Sequence, residues 1–186
     1  MSVAFVFPGQ GSQSIGMLGA LASQYDDVQR VFESASKRLG YDLWALTQSG
    51  PEERLNATEC TQPAMLAAGV ATWRIWQRRG GPAPDLVAGH SRGEFTALAV
   101  AGVLDPDDAV ELVRFRGQVM QEAVPRGEGG MAAIIGLDDA EVEAACAEAA
   151  QGQVVEAVNY NAPSQVVIAG ATAAVERAIA AAKARG

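Results

Sequence analysis

The chain has 186 residues, 49% of them hydrophobic, enough for one ordinary domain or a domain with a small appendage around a sizeable core. Lys and Arg total 14 against 22 Asp and Glu, a formal net charge of -8, which removes the electrostatic term behind non-specific nucleic-acid binding. Met1-Ser2-Val3-Ala4-Phe5-Val6-Phe7 lacks a basic region and reaches Pro8-Gly9 too soon for a signal peptide, no apolar run is long enough to span a membrane, and Cys60 and Cys146 stand apart without metal-ligand or secreted-scaffold spacing. The expectation is a cytoplasmic globular protein with two packing thiols, no metal, and neither nucleic acid nor membrane as partner.

In chain order, Val3 to Phe7 reads as a buried strand ended by Pro8-Gly9, and Gly9-Gln10-Gly11-Ser12-Gln13 as a loop. A helix is expected around Tyr25 to Leu39. A stronger one runs from Pro63 to Arg79, with Pro in its first turn, Met65, Leu66, Trp73 and Trp76 on one core-facing side, and Gly80-Gly81 as a stop. Leu86-Val87-Ala88 is a second short strand that passes through Gly89-His90-Ser91 into an Ala-rich helix beginning near Arg92. Asp105-Pro106-Asp107-Asp108 starts a helix with Val110, Leu112, Val113 and Met120 in apolar period, and Arg114 and Arg116 on it.

After the linker Pro125-Arg126-Gly127-Glu128-Gly129-Gly130 the pattern is strand (Met131 to Ile135), helix (Asp139 to Ala150), strand (Val154 to Val158), strand (Gln165 to Ala169), helix (Thr172 to Lys183). This βαββα order is one strand short of a ferredoxin-like βαββαβ unit. The expected division is 1–125 and 126–186.

The chemistry centres on Gly89-His90-Ser91-Arg92-Gly93. A serine hydroxyl is a weak nucleophile, and acyl-transfer enzymes hold it on a tight strand-to-helix turn where backbone N–H groups stabilise an oxyanion. Gly89 and Gly93 are expected where neighbouring backbone crosses closely, and the N–H of Arg92 is placed as one oxyanion donor.

Phe7-Pro8-Gly9-Gln10-Gly11-Ser12-Gln13, Thr61-Gln62-Pro63-Ala64, Gly89-His90-Ser91-x-Gly93-Glu94, Arg116-Gly117 and Gln165-Val166-Val167-Ile168-Ala169-Gly170, in that order, resemble the bacterial-type malonyl-CoA:acyl carrier protein transacylases. The resemblance implies an α/β-hydrolase-like large domain, incomplete in this chain, with an inserted ferredoxin-like subdomain lacking its last strand. It implies malonyl-CoA as substrate, acyl carrier protein as partner, no tightly bound cofactor, and a role in fatty acid biosynthesis or a polyketide pathway. Ser91 would carry the malonyl group, the backbone amides of Gln10 and Arg92 would form the oxyanion hole, and Gln10 would also line the substrate site. Arg116 would grip the free carboxylate through two parallel hydrogen bonds. The alternative for Arg116 is a helix-surface salt bridge.

The family's general base is a histidine after the ferredoxin-like unit, and residue 186 precedes it. The chain is thus expected to be a truncated N-terminal part with little turnover alone, since losing the base of a Ser-His pair costs on the order of 10⁶ in rate. His90, the one histidine present, is expected to pack buried behind the elbow, facing away from Ser91. Arg92 stands where the family usually has an apolar residue, and it would tune Ser91, pair with Glu94, or fill acyl space. Ala162 and Ser164 differ from the usual Ser and Gly in a loop bordering the site, where Asn159 and Asn161 match the family. Competing readings are a serine esterase or thioesterase-like hydrolase, which shares the elbow without needing a carboxylate clamp, and a non-catalytic remnant.

Overall fold

The computed structural model describes residues 2–9, 11–125 and 127–186. The chain divides into two compact units, Met1–Glu122 and Ala123–Gly186, so the break falls three residues before the position expected from the proline- and glycine-rich linker.

The first unit runs β1 (Ala4–Phe7), α1 (Gly19–Ala22), α2 (Asp26–Leu39), α3 (Leu43–Ser49), α4 (Glu52–Asn56), α5 (Thr58–Arg78), β2 (Leu86–Gly89), α6 (Gly93–Val100) and α7 (Pro106–Glu122). Its core is helical. On α2, Val28, Val31, Phe32, Ala35 and Leu39 are buried at helical spacing, with Asp26 and Asp27 in the first turn, Lys37 and Arg38 in the last, and Gly40 closing the helix at φ 76°. These charges complement the helix dipole at both ends, and glycine takes the left-handed closing position without a Cβ clash. Asp42 caps α3 by accepting from the Ala45 N–H at 2.8 Å. The short helices α1, α3 and α4 have too little apolar period to be seen in the sequence.

Helix α5 begins at Thr58, five residues ahead of the expected start, and contains Pro63. Its buried residues run from Cys60 to Ile75, so tertiary burial outweighs the hydrogen bond that proline removes. The tryptophans of α5 leave the core: Trp76 is exposed, and both rings meet Phe5 of β1 edge-on, with centroids 5.2 Å (Trp73) and 5.4 Å (Trp76) away. Strand β1 pairs in parallel with β2, Ala4 with Leu86 through Phe7 with Gly89. It is not the buried strand expected, because Phe7 is its one buried residue and Val6 is exposed.

The second unit comprises β3 (Gly129–Ile135), α8 (Asp139–Ala150), β4 (Val155–Ala162), β5 (Gln165–Ala171) and α9 (Thr172–Lys183). Its antiparallel sheet has the order β3-β5-β4. Helices α8 and α9 pack on one face, where Ile134, Val142, Val155, Val166, Ile168 and Val175 form the core. Asp138 caps α8 by accepting from the Glu141 N–H at 2.9 Å. Asn159 to Ala162 lie within β4, so the expected loop there is a hairpin that turns at Pro163-Ser164. Ser164 has φ 61°, a backbone state that favours glycine. No described helix is long and apolar enough to cross a membrane.

Candidate active site

Ser91 sits between β2 and α6 at φ 56°, in the left-handed region that residues with a Cβ rarely adopt. Such a conformation persists where its surroundings over-determine it. A Cβ on Gly89 would lie 2.0 Å from the Gly93 carbonyl carbon, and one on Gly93 would lie 2.2 Å from the Phe7 carbonyl oxygen. Backbone therefore crosses backbone on both sides of the serine, and glycine is required at both positions. The His90 N–H donates to the Phe7 carbonyl at 3.1 Å, and the N–H groups of Gly93, Glu94 and Phe95 donate to the carbonyls of His90, Ser91 and Arg92. Arg92 stands at the N-cap position of α6. Ser91 itself is exposed.

Arg116, half-buried on α7, donates from Nη2 to Ser91 Oγ at 3.0 Å and from Nη1 to Gln62 Oε1 at 3.0 Å. Gln62 is fully buried on α5 and donates from Nε2 to Met120 Sδ at 3.5 Å. Gly117 explains the approach of the two helices, because a Cβ there would lie 2.8 Å from the Glu59 Cα. Packing α7 so closely on the first turn of α5 sets Arg116 beside Gln62, one turn further on. The arginine is thus a fork with one arm on a buried amide and the other on a serine hydroxyl, and the salt-bridge alternative does not describe it. Gln62 had no role in the sequence beyond its place in Thr61-Gln62-Pro63-Ala64. The signal that marks it is an amide among the apolar residues of a buried helix face.

Arg92 is 2% exposed. Its Nη2 donates to the Gly9 carbonyl, while its Nε is buried without a hydrogen-bond partner. Burial, and then repulsion by Arg116, lower its pKa to about 10, so it stays charged at neutral pH. Of the three fates open to it in the sequence, pairing with Glu94 is ruled out: Glu94 is exposed and takes no part in the ion pairs of the described residues.

His90 is exposed, against the expectation of a buried histidine. The further expectation that it faces away from Ser91 rested on side chains alternating along extended backbone, and Ser91 at φ 56° is not extended. The His90 ring lies along Gly9, where an added Cβ would come within 2.6 Å of Nδ1. Gln10, assigned an oxyanion N–H and a place in the substrate site, lies outside the described residues. Among the described residues no cluster of three or more His, Cys, Asp or Glu is placed to hold a metal ion. A surface depression of about 570 Å³ near the junction of α2 and α3, lined by Lys37, Tyr41 and Trp44 among others, includes neither Ser91 nor Arg116.

The chain is 63% identical over 183 residues to the malonyl CoA-acyl carrier protein transacylase of Salmonella typhimurium, a match that covers 98% of this chain and 59% of that protein. The solved malonyl CoA-acyl carrier protein transacylase of Coxiella burnetii is 56% identical with a TM-score of 0.98, over 100% of this chain and 59% of that one. A malonyl-transacylase solved in complex with a type II PKS acyl-carrier protein is 59% identical with a TM-score of 0.97, over 100% of this chain and 60% of that one. The chain therefore spans about three-fifths of the length of these relatives. The family described as the acyl transferase domain matches residues 4–186, which takes in the elbow, Gln62 and the Arg116 fork together, and this chain belongs to that acyl transferase family.

Proposed function

We propose that Ser91 accepts a malonyl group from malonyl-CoA and passes it to the phosphopantetheine thiol of an acyl carrier protein, in fatty acid biosynthesis. The observation that carries this reading is the contact between Arg116 Nη2 and Ser91 Oγ. In a malonyl thioester the free carboxylate is separated from the reacting carbonyl by a single methylene. A cation that selects malonyl must therefore stand beside the nucleophile, and Arg116 does. A simple esterase has no use for a guanidinium there.

The Ser91 oxygen attacks the thioester carbonyl, with the backbone N–H groups of Arg92 and Gln10 as donors to the developing oxyanion. The carbon–sulfur bond breaks, coenzyme A leaves as the thiol, and a malonyl-serine ester remains. The carrier thiol then attacks that ester, and Ser91 regains its proton as the carbon–oxygen bond breaks. The serine proton has to pass to a base. Arg116 is a donor at neutral pH and the Gln62 amide is not basic, so these two residues bind and orient the acyl group. On the same reading the first unit belongs to an α/β-hydrolase-like domain, supported by the elbow at Gly89 to Gly93. The second belongs to a ferredoxin-like insert, supported by the order β3-β5-β4.

The test is intact-mass detection of a covalent adduct after incubation with malonyl-CoA or acetyl-CoA. A malonyl adduct that forms in preference to acetyl, vanishes in Ser91→Ala and loses its preference in Arg116→Leu is the expected result. Losing one partner of a hydrogen-bonded charge pair costs about 2 to 5 kcal/mol, which is more than tenfold in preference. An adduct that persists in Ser91→Ala, or equal labelling by the two thioesters, overturns the reading.

A further inference from the structure

Arg92 is a buried cation without a carboxylate. It takes no part in the ion pairs among the described residues, its Nε has no partner, and its one described side-chain hydrogen bond reaches 83 residues back to the Gly9 carbonyl. Burying a half-satisfied charge is costly. A leucine in its place would remove that cost, and Gly9, only partly buried, could turn its carbonyl to water. Stability therefore gives no reason for an arginine here, and its position points to the chemistry instead. It directly follows Ser91. Its bond to Gly9 fastens the loop after β1 to the elbow where Gly93 already touches the Phe7 carbonyl, and its guanidinium lies close enough to that of Arg116, which holds the serine hydroxyl, to be repelled by it.

We infer that the Arg92 side chain is a positioning residue for acyl transfer, tying the loop after β1 to the nucleophile elbow through the Gly9 carbonyl and adding an unneutralised positive charge beside Ser91. The charge favours the oxyanion formed on attack and the anionic malonyl group that Arg116 holds, so the residue sharpens the site for an acidic acyl group. The inference rests on Ser91 being the nucleophile.

The experiment follows malonyl-adduct formation at Ser91 by intact mass, with thermal unfolding in parallel, in the 186-residue chain and in Arg92→Met, Arg92→Gln and Arg92→Lys. A hydrogen bond to a charged group contributes enough for about a tenfold effect on rate. Adduct formation about tenfold slower in the Met and Gln variants is expected, partly recovered in Lys, which keeps the charge without the fork. The melting temperature of Arg92→Met is expected to equal or exceed that of the parent. A rate in Arg92→Met within twofold of the parent overturns the inference while leaving the Ser91 reading intact. So does a rate that falls only in step with the melting temperature, with no recovery in Lys. An adduct that persists in Ser91→Ala overturns the nucleophile reading and takes this inference with it.

Discussion

Among the described residues, the buried polar side chains, Asp27, Thr47, Thr61, Gln62, Arg92 and Thr96, all lie in the first unit, while the interior of the second is built of alanine, valine, isoleucine, leucine and one cysteine. Both units bury enough apolar surface to make a core, but only the first keeps expensive groups inside it. Buried polar atoms cost free energy unless paired, and an incompletely paired one calls for a reason. Gln62 and Arg92 converge on one place, the serine turn, through Arg116 and Gly9. On the proposed function the first unit carries the chemistry at a cost in stability, and the second is a conventional two-layer packing of helices on a sheet.

The comparison is broken most directly through the core of the second unit. Ile168 is 1% exposed, and Ile168→Ala is expected to cost about 2 to 5 kcal/mol of stability, measured by denaturant unfolding. Adduct formation at Ser91 should be unchanged under conditions where the variant is folded. A changed rate in the folded variant would show that the second unit is not chemically passive.

Gln62→Leu tests the opposite side. It keeps the volume and removes the acceptor that steadies Arg116, and a hydrogen bond to a charged group contributes about 1.5 to 3 kcal/mol. The malonyl-over-acetyl preference should fall by roughly tenfold or more, with little loss of stability because an apolar residue replaces a buried amide. A fall in stability with the preference intact would make Gln62 a packing residue. The smallest effect is expected at Ser164, held at φ 61° in the β4–β5 turn. Ser164→Gly relieves a left-handed strain worth about 1 kcal/mol and should raise the melting temperature slightly, leaving acyl transfer alone.

Local chemistry was enough to place much of this molecule from its sequence. Helices α8 and α9 fall where their local sequence pattern puts them, at Asp139–Ala150 and Thr172–Lys183, and the start of α8 is settled by the cap at Asp138, three residues from its partner. The elbow was legible for the same reason: two glycines flank one serine between a short strand and a helix, and the close crossings they permit are local. Helix α5 began earlier than Pro63 suggested, since the burial that carries it past a proline comes from α2 and α7 and is invisible in its own residues. The direction of His90 was not legible, because alternation argues from extended backbone and Ser91 stands at φ 56°.

By itself, then, the sequence determined the serine, its glycines, the βαββα order of the second unit and the residue types that could bind a carboxylate. Tertiary structure decided which of them meet. Arg116 reaches Ser91 across 25 residues and Gln62 across 54, and Arg92 reaches Gly9 across 83. No periodicity or propensity encodes such pairings. They follow from how closely α7 can approach α5 at Gly117 and how closely β1 can approach the elbow at Gly93, which is set by packing over the whole first unit. The serine was visible in the chain, whereas the arginine fork that joins it to Gln62 exists only once the chain is folded.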